Sequence, residues 1–221
     1  MRVGALVIGV LIALVGLTID FVDIMSTSIV VTESHPVARS LPDAVIYYWT
    51  FFTHIANLGL LLVYVAELTG WRWLRWFRTP IGRASMAANI TLVMVFFHVM
   101  LAPTYNFVGA LAVSNVLLHY VGPLYYLAWW GLGADHGTLR WRDIPMMLVP
   151  GILYLAWALV RGAVVHEYPY EIINADKLGY GGVAVGAAIV IGAVAVFCCS
   201  LVIADKLLAI GSTDDRSASL R

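Results

Sequence analysis

The stretch Thr50-Phe51-Phe52-Thr53-His54-Ile55-Ala56-Asn57 sets two hydroxyls, an imidazole and a carboxamide inside an apolar run. A second polar set, Asn115 and His119, lies inside another apolar run and is followed by Pro123. Polar side chains in such runs are costly and by default mark function. A threonine hydroxyl is a weak nucleophile that needs an adjacent base. An imidazole can take its proton and return it to a leaving alcohol. Thr53 and His119 are therefore the candidate working centre of the chain. Helical spacing puts Thr50, Thr53 and Asn57 on one face and turns His54 about 100° away from Thr53, so His54 is given no role. Asn115 and His119 are one helical turn apart, which lets Asn115 orient the ring. Pro123 removes the N–H that would serve the His119 carbonyl and kinks the helix there. Asn57, or a backbone N–H freed near the kink, is the candidate oxyanion donor, a role often worth ~3 kcal/mol. The bland alternatives are a Thr bonded to its own helix and a His that only packs.

These residues need elements to carry them, and composition says which. Of 221 residues, 62% are hydrophobic and only 12% charged, with a mean hydropathy of +0.88. That is about half the charge of a soluble domain. The apolar runs are too many and too long for soluble core helices. The fold class expected is an all-α integral membrane protein with six transmembrane helices in one domain over 1–210. The helices fall near 3–22, 43–69, 84–102, 108–132, 144–165 and 181–207, and a polar tail occupies 211–221. Asp20 and Asp23 close the first helix, and polar loops cover 26–42 and 166–180. Net charge is zero, which gives no bulk electrostatic case for nucleic acid. Cys198 and Cys199 are adjacent in an apolar run and make neither a disulfide framework nor a metal motif.

Lys and Arg set the orientation. With the N-terminus in the cytoplasm, Arg2, Arg72, Arg75, Arg78, Arg83, Arg140, Arg142, Lys206, Arg216 and Arg221 are inside, against Arg39, Arg161 and Lys177 outside. Both termini are expected to be cytoplasmic. Trp71 to Arg78 reads as an interfacial anchor, with Trp at headgroup depth and Arg toward lipid phosphate. In this orientation the segments of Thr53 and His119 both enter from outside. At ~1.5 Å per residue from Asp43 and Val108, the two lie roughly 15 and 16 Å deep. Matching depth allows them to meet if their segments are neighbours.

Other polar residues fall in the outer half: His98, Asp20, Asp23, His166, Glu167 and Arg161. Arg161 needs a counter-charge, and two are open: a salt bridge to Asp20, Asp23 or Glu167, or a substrate carboxylate. Two rival functions follow from the same residues. One is a metal-dependent hydrolase with ligands among His98, His119, His166, Glu167 and Asp20, of types that suit zinc but without HExxH or CxxC spacing. The other is a non-catalytic lipid-binding, transport or scaffold protein.

Phe51-Phe52-Thr53-His54-Ile55-Ala56-Asn57-Leu58, Leu117-Leu118-His119-Tyr120-Val121-Gly122-Pro123, and Leu159-Val160-Arg161-Gly162 with Tyr168-Pro169-Tyr170 resemble the androgen-induced membrane protein family and its bacterial six-helix relatives. Eukaryotic members are threonine hydrolases that cleave fatty acid esters of hydroxy fatty acids with an intramembrane Thr and His. The resemblance implies Thr53 as nucleophile, His119 as base, no cofactor and membrane lipids or a lipid ester as partner. It also implies a multi-pass protein of the bacterial inner membrane. The chain departs from the eukaryotic pattern at Tyr120, where a Thr follows the catalytic His, at the shorter spacing to Pro123, and at His54. These departures bring it nearer the bacterial relatives and leave the substrate open.

Overall fold

The computed structural model describes residues 2–29, 38–104 and 106–218, and side chains from 3 to 210 within those ranges. Residues 30–37 of the loop expected over 26–42, Tyr105 and the last three residues of the tail lie outside the described residues. Helices α1 (Arg2–Ser28), α2 (Leu41–Tyr48), α3 (Phe52–Thr69), α4 (Pro80–Phe96), α5 (Gly109–Val116), α6 (Gly122–Gly133), α7 (Ile144–Val165) and α8 (Ala175–Ala218) follow in order. No strand occurs among the described residues. Among the described residues, six stretches are long and apolar enough to cross a membrane: Val3–Ser28, Phe52–Thr69, Pro80–Leu101, Gly109–Gly133, Trp141–Val165 and Ala175–Ile210. The chain forms two compact units, Met1–Gly70 with Val93–Tyr126 and Trp71–Leu92 with Leu127–Arg221.

Several boundaries differ from expectation, each for a local reason. Asp20 and Asp23 do not close α1. The helix runs on to Ser28, with the Ser26 and Thr27 hydroxyls bonded back to the Asp23 carbonyl. The segment expected to be continuous over 43–69 is broken at Trp49–Phe51. Ser40 caps α2 by accepting the Asp43 N–H, with a proline in its first turn. Its end is marked by Thr50, whose Oγ1 donates to the Ile46 carbonyl at 2.8 Å. Such back-bonding bends helices, and the aromatic neighbours are weak helix formers. The break takes Thr50 out of the helix, while Thr53 and Asn57 still share a face of α3. Gly70, in the left-handed region at φ 68°, ends α3. The expected tail from Gly211 continues α8 as helix to Ala218, and α8 is kinked at Gly179.

In the first unit α1 packs along α3 and α5. The buried face of α1 is Leu6, Gly9, Ala13, Gly16 and Leu17, a spacing of three to four residues. A Cβ at Gly16 would collide with the Leu118 side chain, so glycine there lets the backbones approach. Leu17, Tyr48 and Leu118 form a buried cluster.

Two helices in this unit widen. Phe97–Leu101 and Leu117–Val121 are π turns, and each ends two residues before a proline, Pro103 and Pro123. Widening relieves the clash between a proline ring and the carbonyl four residues back. It also changes which carbonyl is orphaned. The Gly122 N–H reaches the Leu117 carbonyl, five residues back. In that register the missing N–H of Pro123 deprives Leu118, not His119 as the α-helical spacing suggested. The Asn57 Nδ2 group donates to the Leu118 carbonyl at 3.1 Å instead.

In the second unit α7 packs against α8. Ser85 donates to the Met147 carbonyl at 2.6 Å. Asp205, almost fully buried, accepts the Leu139 N–H at 2.9 Å and faces His136 Nδ1 at 3.3 Å. The basic aromatic segment forms a 3₁₀ helix, Arg72–Arg78. Three residues per turn put Arg72, Arg75 and Arg78 in one exposed row, while Leu74 is buried on another.

Replacing Asn57 by Ala strands the Leu118 carbonyl and should cost about 1–3 kcal/mol. Adding Pro123→Ala supplies a new N–H to that carbonyl and should recover part of the loss. Thermal unfolding in one detergent checks both, and an unshifted midpoint in the single variant would show that Leu118 has another donor.

Candidate functional site

Thr53 is the second residue of α3 and His119 the middle residue of the π turn between α5 and α6. Thr53 Oγ1 lies 3.2 Å from His119 Nε2. His119 Nδ1 lies 3.1 Å from the Asn115 carbonyl, which can only accept. In the neutral ring Nδ1 therefore carries the hydrogen, and Nε2 keeps the lone pair that accepts the Thr53 O–H. The ring is also stacked on Phe97, centroids 3.8 Å apart and planes 25° apart. Both side chains are half-buried. This is the spacing and tautomer that a hydroxyl nucleophile and its base require.

The other expected members divide. Asn57 is buried beside Thr53, but its two amide hydrogens go to the Thr53 carbonyl at 2.8 Å and the Leu118 carbonyl at 3.1 Å. It has no donor left for an oxyanion. Asn115 orients His119 through its main-chain carbonyl, not its carboxamide, whose Oδ1 is buried without a hydrogen-bond partner among the described residues. Thr50 is buried and back-bonded to Ile46 in the break before α3. Arg161, also buried, lies in the second unit. Nη2 donates to Glu167 Oε2 at 2.8 Å, and Nη1 donates to the Glu167 carbonyl at 3.2 Å. Of the counter-charges open to it, Glu167 is the one in place.

Three residues that the sequence did not bring together join the site. His54 is 3% exposed. Its Nδ1–H donates to the Tyr48 carbonyl at 2.7 Å, capping the end of α2, and its ring stacks flat on Tyr48. Its Nε2 lies 3.1 Å from Asp20 Oδ2. Asp20 Oδ1 is hydrogen-bonded by the Ser114 hydroxyl. Since Nδ1 faces a carbonyl and Nε2 a carboxylate, one further proton lies between His54 and Asp20. A signal for Asp20 exists in the sequence: it continues the small-residue stripe Gly9, Ala13, Gly16 by one more turn of α1, which aims its side chain inward. Nothing of comparable clarity marks Ser114.

The residues named for the metal alternative are dispersed. Asp20 is with His54, Glu167 with Arg161, and His166 with Asp176. His98 is exposed, its Nδ1 3.1 Å from the Tyr120 hydroxyl. Among the described residues no group of three or more His, Cys, Asp or Glu could hold a metal ion. No family model, curated protein or solved structure matches the chain. The resemblance to the androgen-induced family therefore rests on the stretches quoted above.

The His119 tautomer can be checked directly. In protein labelled with 15N-histidine, the His119 ring should show a protonated Nδ1 and an unprotonated Nε2, and Thr53→Val should move the Nε2 signal while Nδ1 stays protonated. An Nε2-protonated ring would remove the base from the pair.

Proposed function

We propose that the chain is an intramembrane hydrolase of lipid esters, with Thr53 as nucleophile and His119 as general base. The observation that carries this reading is the 3.2 Å approach of Thr53 Oγ1 to the His119 nitrogen that the Asn115 carbonyl leaves unprotonated. The Thr53 oxygen attacks the ester carbonyl as its proton passes to His119 Nε2. The tetrahedral adduct collapses to an acyl-threonine, and His119 returns the proton to the leaving alcohol. Water, deprotonated by the same nitrogen, releases the carboxylic acid and restores Thr53.

With both Asn57 hydrogens engaged, the oxyanion falls to the main chain. Thr53 lies in the first turn of α3, where the helix end carries partial positive charge; the His54 and Ile55 N–H groups reach the Phe51 carbonyl, which leaves the Thr53 N–H as the candidate donor. The open Asn115 Oδ1 suits a hydroxyl of the substrate or the attacking water. The substrate class follows from the family resemblance: an ester of a fatty acid with a hydroxy fatty acid, acyl chains lying between helices. Arg161 is the weaker part of this picture, because Glu167 already holds its guanidinium.

Thr53→Ala and His119→Ala should each lower ester hydrolysis by at least about 10⁴-fold in purified protein, while Thr53→Ser keeps measurable turnover. A lipid fluorophosphonate should label Thr53 in the wild type and not in His119→Ala. Full hydrolysis by both alanine variants would dismiss the chemistry and favour a lipid-binding or transport role.

In the membrane, both termini are assigned to the cytoplasm, which puts the Arg72, Arg75 and Arg78 row at the inner headgroup layer of a bacterial plasma membrane. Successive arginines are spaced by about 6 Å, one 3₁₀ turn, and exposed Trp71 and Trp73 flank them. Anionic phosphates are the partner that such a row fits. Changing all three arginines to Gln should reduce anionic phospholipid carried through native mass spectrometry and leave zwitterionic lipid unchanged. Equal retention of anionic lipid would sink the assignment.

A further inference from the structure

We propose that Asp20 is a positioning residue for the Thr53–His119 pair: one carboxylate on α1 that ties the segment of the hydroxyl to the segment of the ring. Asp20 Oδ2 is 3.1 Å from Nε2 of His54, the residue after Thr53. Asp20 Oδ1 is bonded by the hydroxyl of Ser114, the residue before Asn115. The Asn115 carbonyl in turn holds His119 Nδ1, and His119 Nε2 meets Thr53. The path Thr53, His119, Asn115, Ser114, Asp20, His54 and back to Thr53 is therefore a closed circuit. Four of its links are these hydrogen bonds, and the other two are the peptide bonds 53–54 and 114–115.

A closed circuit constrains what single bonds do not. The Thr53–His119 contact joins two helical segments far apart in sequence, and Asp20 ties the same two segments a second time, through His54 and Ser114. His54 is held independently by its bond to the Tyr48 carbonyl and by stacking on Tyr48. Ser114 is fully buried. Both arms of the clamp thus end on buried groups, and the shared proton makes the His54 arm charge-assisted or strongly polar. The charged and titratable groups around Asp20 include Asp23 on its own helix, Tyr48 at the end of α2, His54 on α3 and His119 beyond α5.

The clamp acts by geometry, and that separates it from a charge effect. An asparagine at position 20 can accept from Ser114 with Oδ1 and donate to a neutral His54 Nε2 with Nδ2, so it keeps both arms without the charge. An alanine keeps neither. The kinetic arm of the test rests on the hydrolase reading, and the spectroscopic arm does not. In full-length protein in one detergent, Asp20→Ala should lower kcat about 100-fold with KM little changed, and shift both 15N ring signals of His119. Asp20→Asn should stay within about tenfold of wild-type kcat and return those signals. Ser114→Ala, a smaller change, opens the circuit at its other arm. It should move the His119 signals in the same direction and lower kcat about tenfold, which keeps the question answerable if Asp20→Ala does not fold. The clamp is overturned if folded Asp20→Ala or Ser114→Ala leaves the His119 signals in place, or if Asp20→Asn is as impaired as Asp20→Ala. A wild type without esterase activity would end the hydrolase reading, while the His119 signals of the three variants would still decide the clamp.

Discussion

Pro123 has no N–H to give, and in an apolar layer the carbonyl it deprives needs another donor. The wide turn Leu117–Val121 makes that carbonyl Leu118, and Asn57 on α3 supplies the donor. The same amide nitrogen donates to the Thr53 carbonyl one turn back along α3. A backbone defect in one helix is thus repaired by a side chain from another, and the repair draws the turn of Thr53 to the turn of His119. The hydroxyl–imidazole contact depends on this repair, since both partners lie within a turn of the atoms Asn57 joins.

The same rule acts at each irregularity of this unit. The break after α2 leaves the Tyr48 carbonyl at a helix end, and His54 serves it. The wide turn before Pro103 brings Phe97 onto the face of His119. In the unit Trp71–Leu92 with Leu127–Arg221, polar groups also find partners, but the outcome differs. Asp205 takes the Leu139 N–H, Arg161 takes Glu167, and Ser85 takes the Met147 carbonyl. Those contacts terminate in ion pairs or backbone bonds that leave no weak nucleophile facing a base. Among the described residues, the repair in the first unit leaves the Thr53 hydroxyl and an unprotonated ring nitrogen together.

How far this could be read in advance depended on the kind of signal. The six apolar stretches follow from hydropathy, and α7 begins and ends where its sequence pattern puts it, because Pro145 and the polar loop after Val165 bound it. Thr53 and His119 were legible as costly polar residues at matching depth. The depth estimate assumed a continuous helix from Asp43, and that helix is broken at Trp49–Phe51. The pairing therefore stands on geometry and not on that arithmetic. The orphaned carbonyl was placed one residue off, since Pro123 fixes that a bond is missing but not whether the turn before it is α or π. His54 was set aside because a helical wheel cannot show that its Nδ1 would reach back to the end of a preceding helix. Asp20 looked like a helix terminus, although the small-residue stripe below it already pointed inward.

On the hydrolase reading, repair and catalysis compete for the same donors, and that competition narrows the chemistry. A carboxamide offers two N–H groups, and Asn57 commits both to backbone carbonyls. Diverting one to a substrate oxyanion would strand a buried carbonyl at a cost of about 1–3 kcal/mol, close to what an oxyanion donor contributes. The exchange gains nothing. Of the first-turn N–H groups of α3, that of Thr53 carries no such obligation, because α3 begins at Phe52 and supplies no carbonyl one turn back for it, whereas the His54 and Ile55 N–H groups take the Phe51 carbonyl. For ester cleavage at Thr53, the donor that stabilises the oxyanion without loss elsewhere is main chain, and the break that begins α3 at Phe52 puts the Thr53 N–H among those first-turn groups.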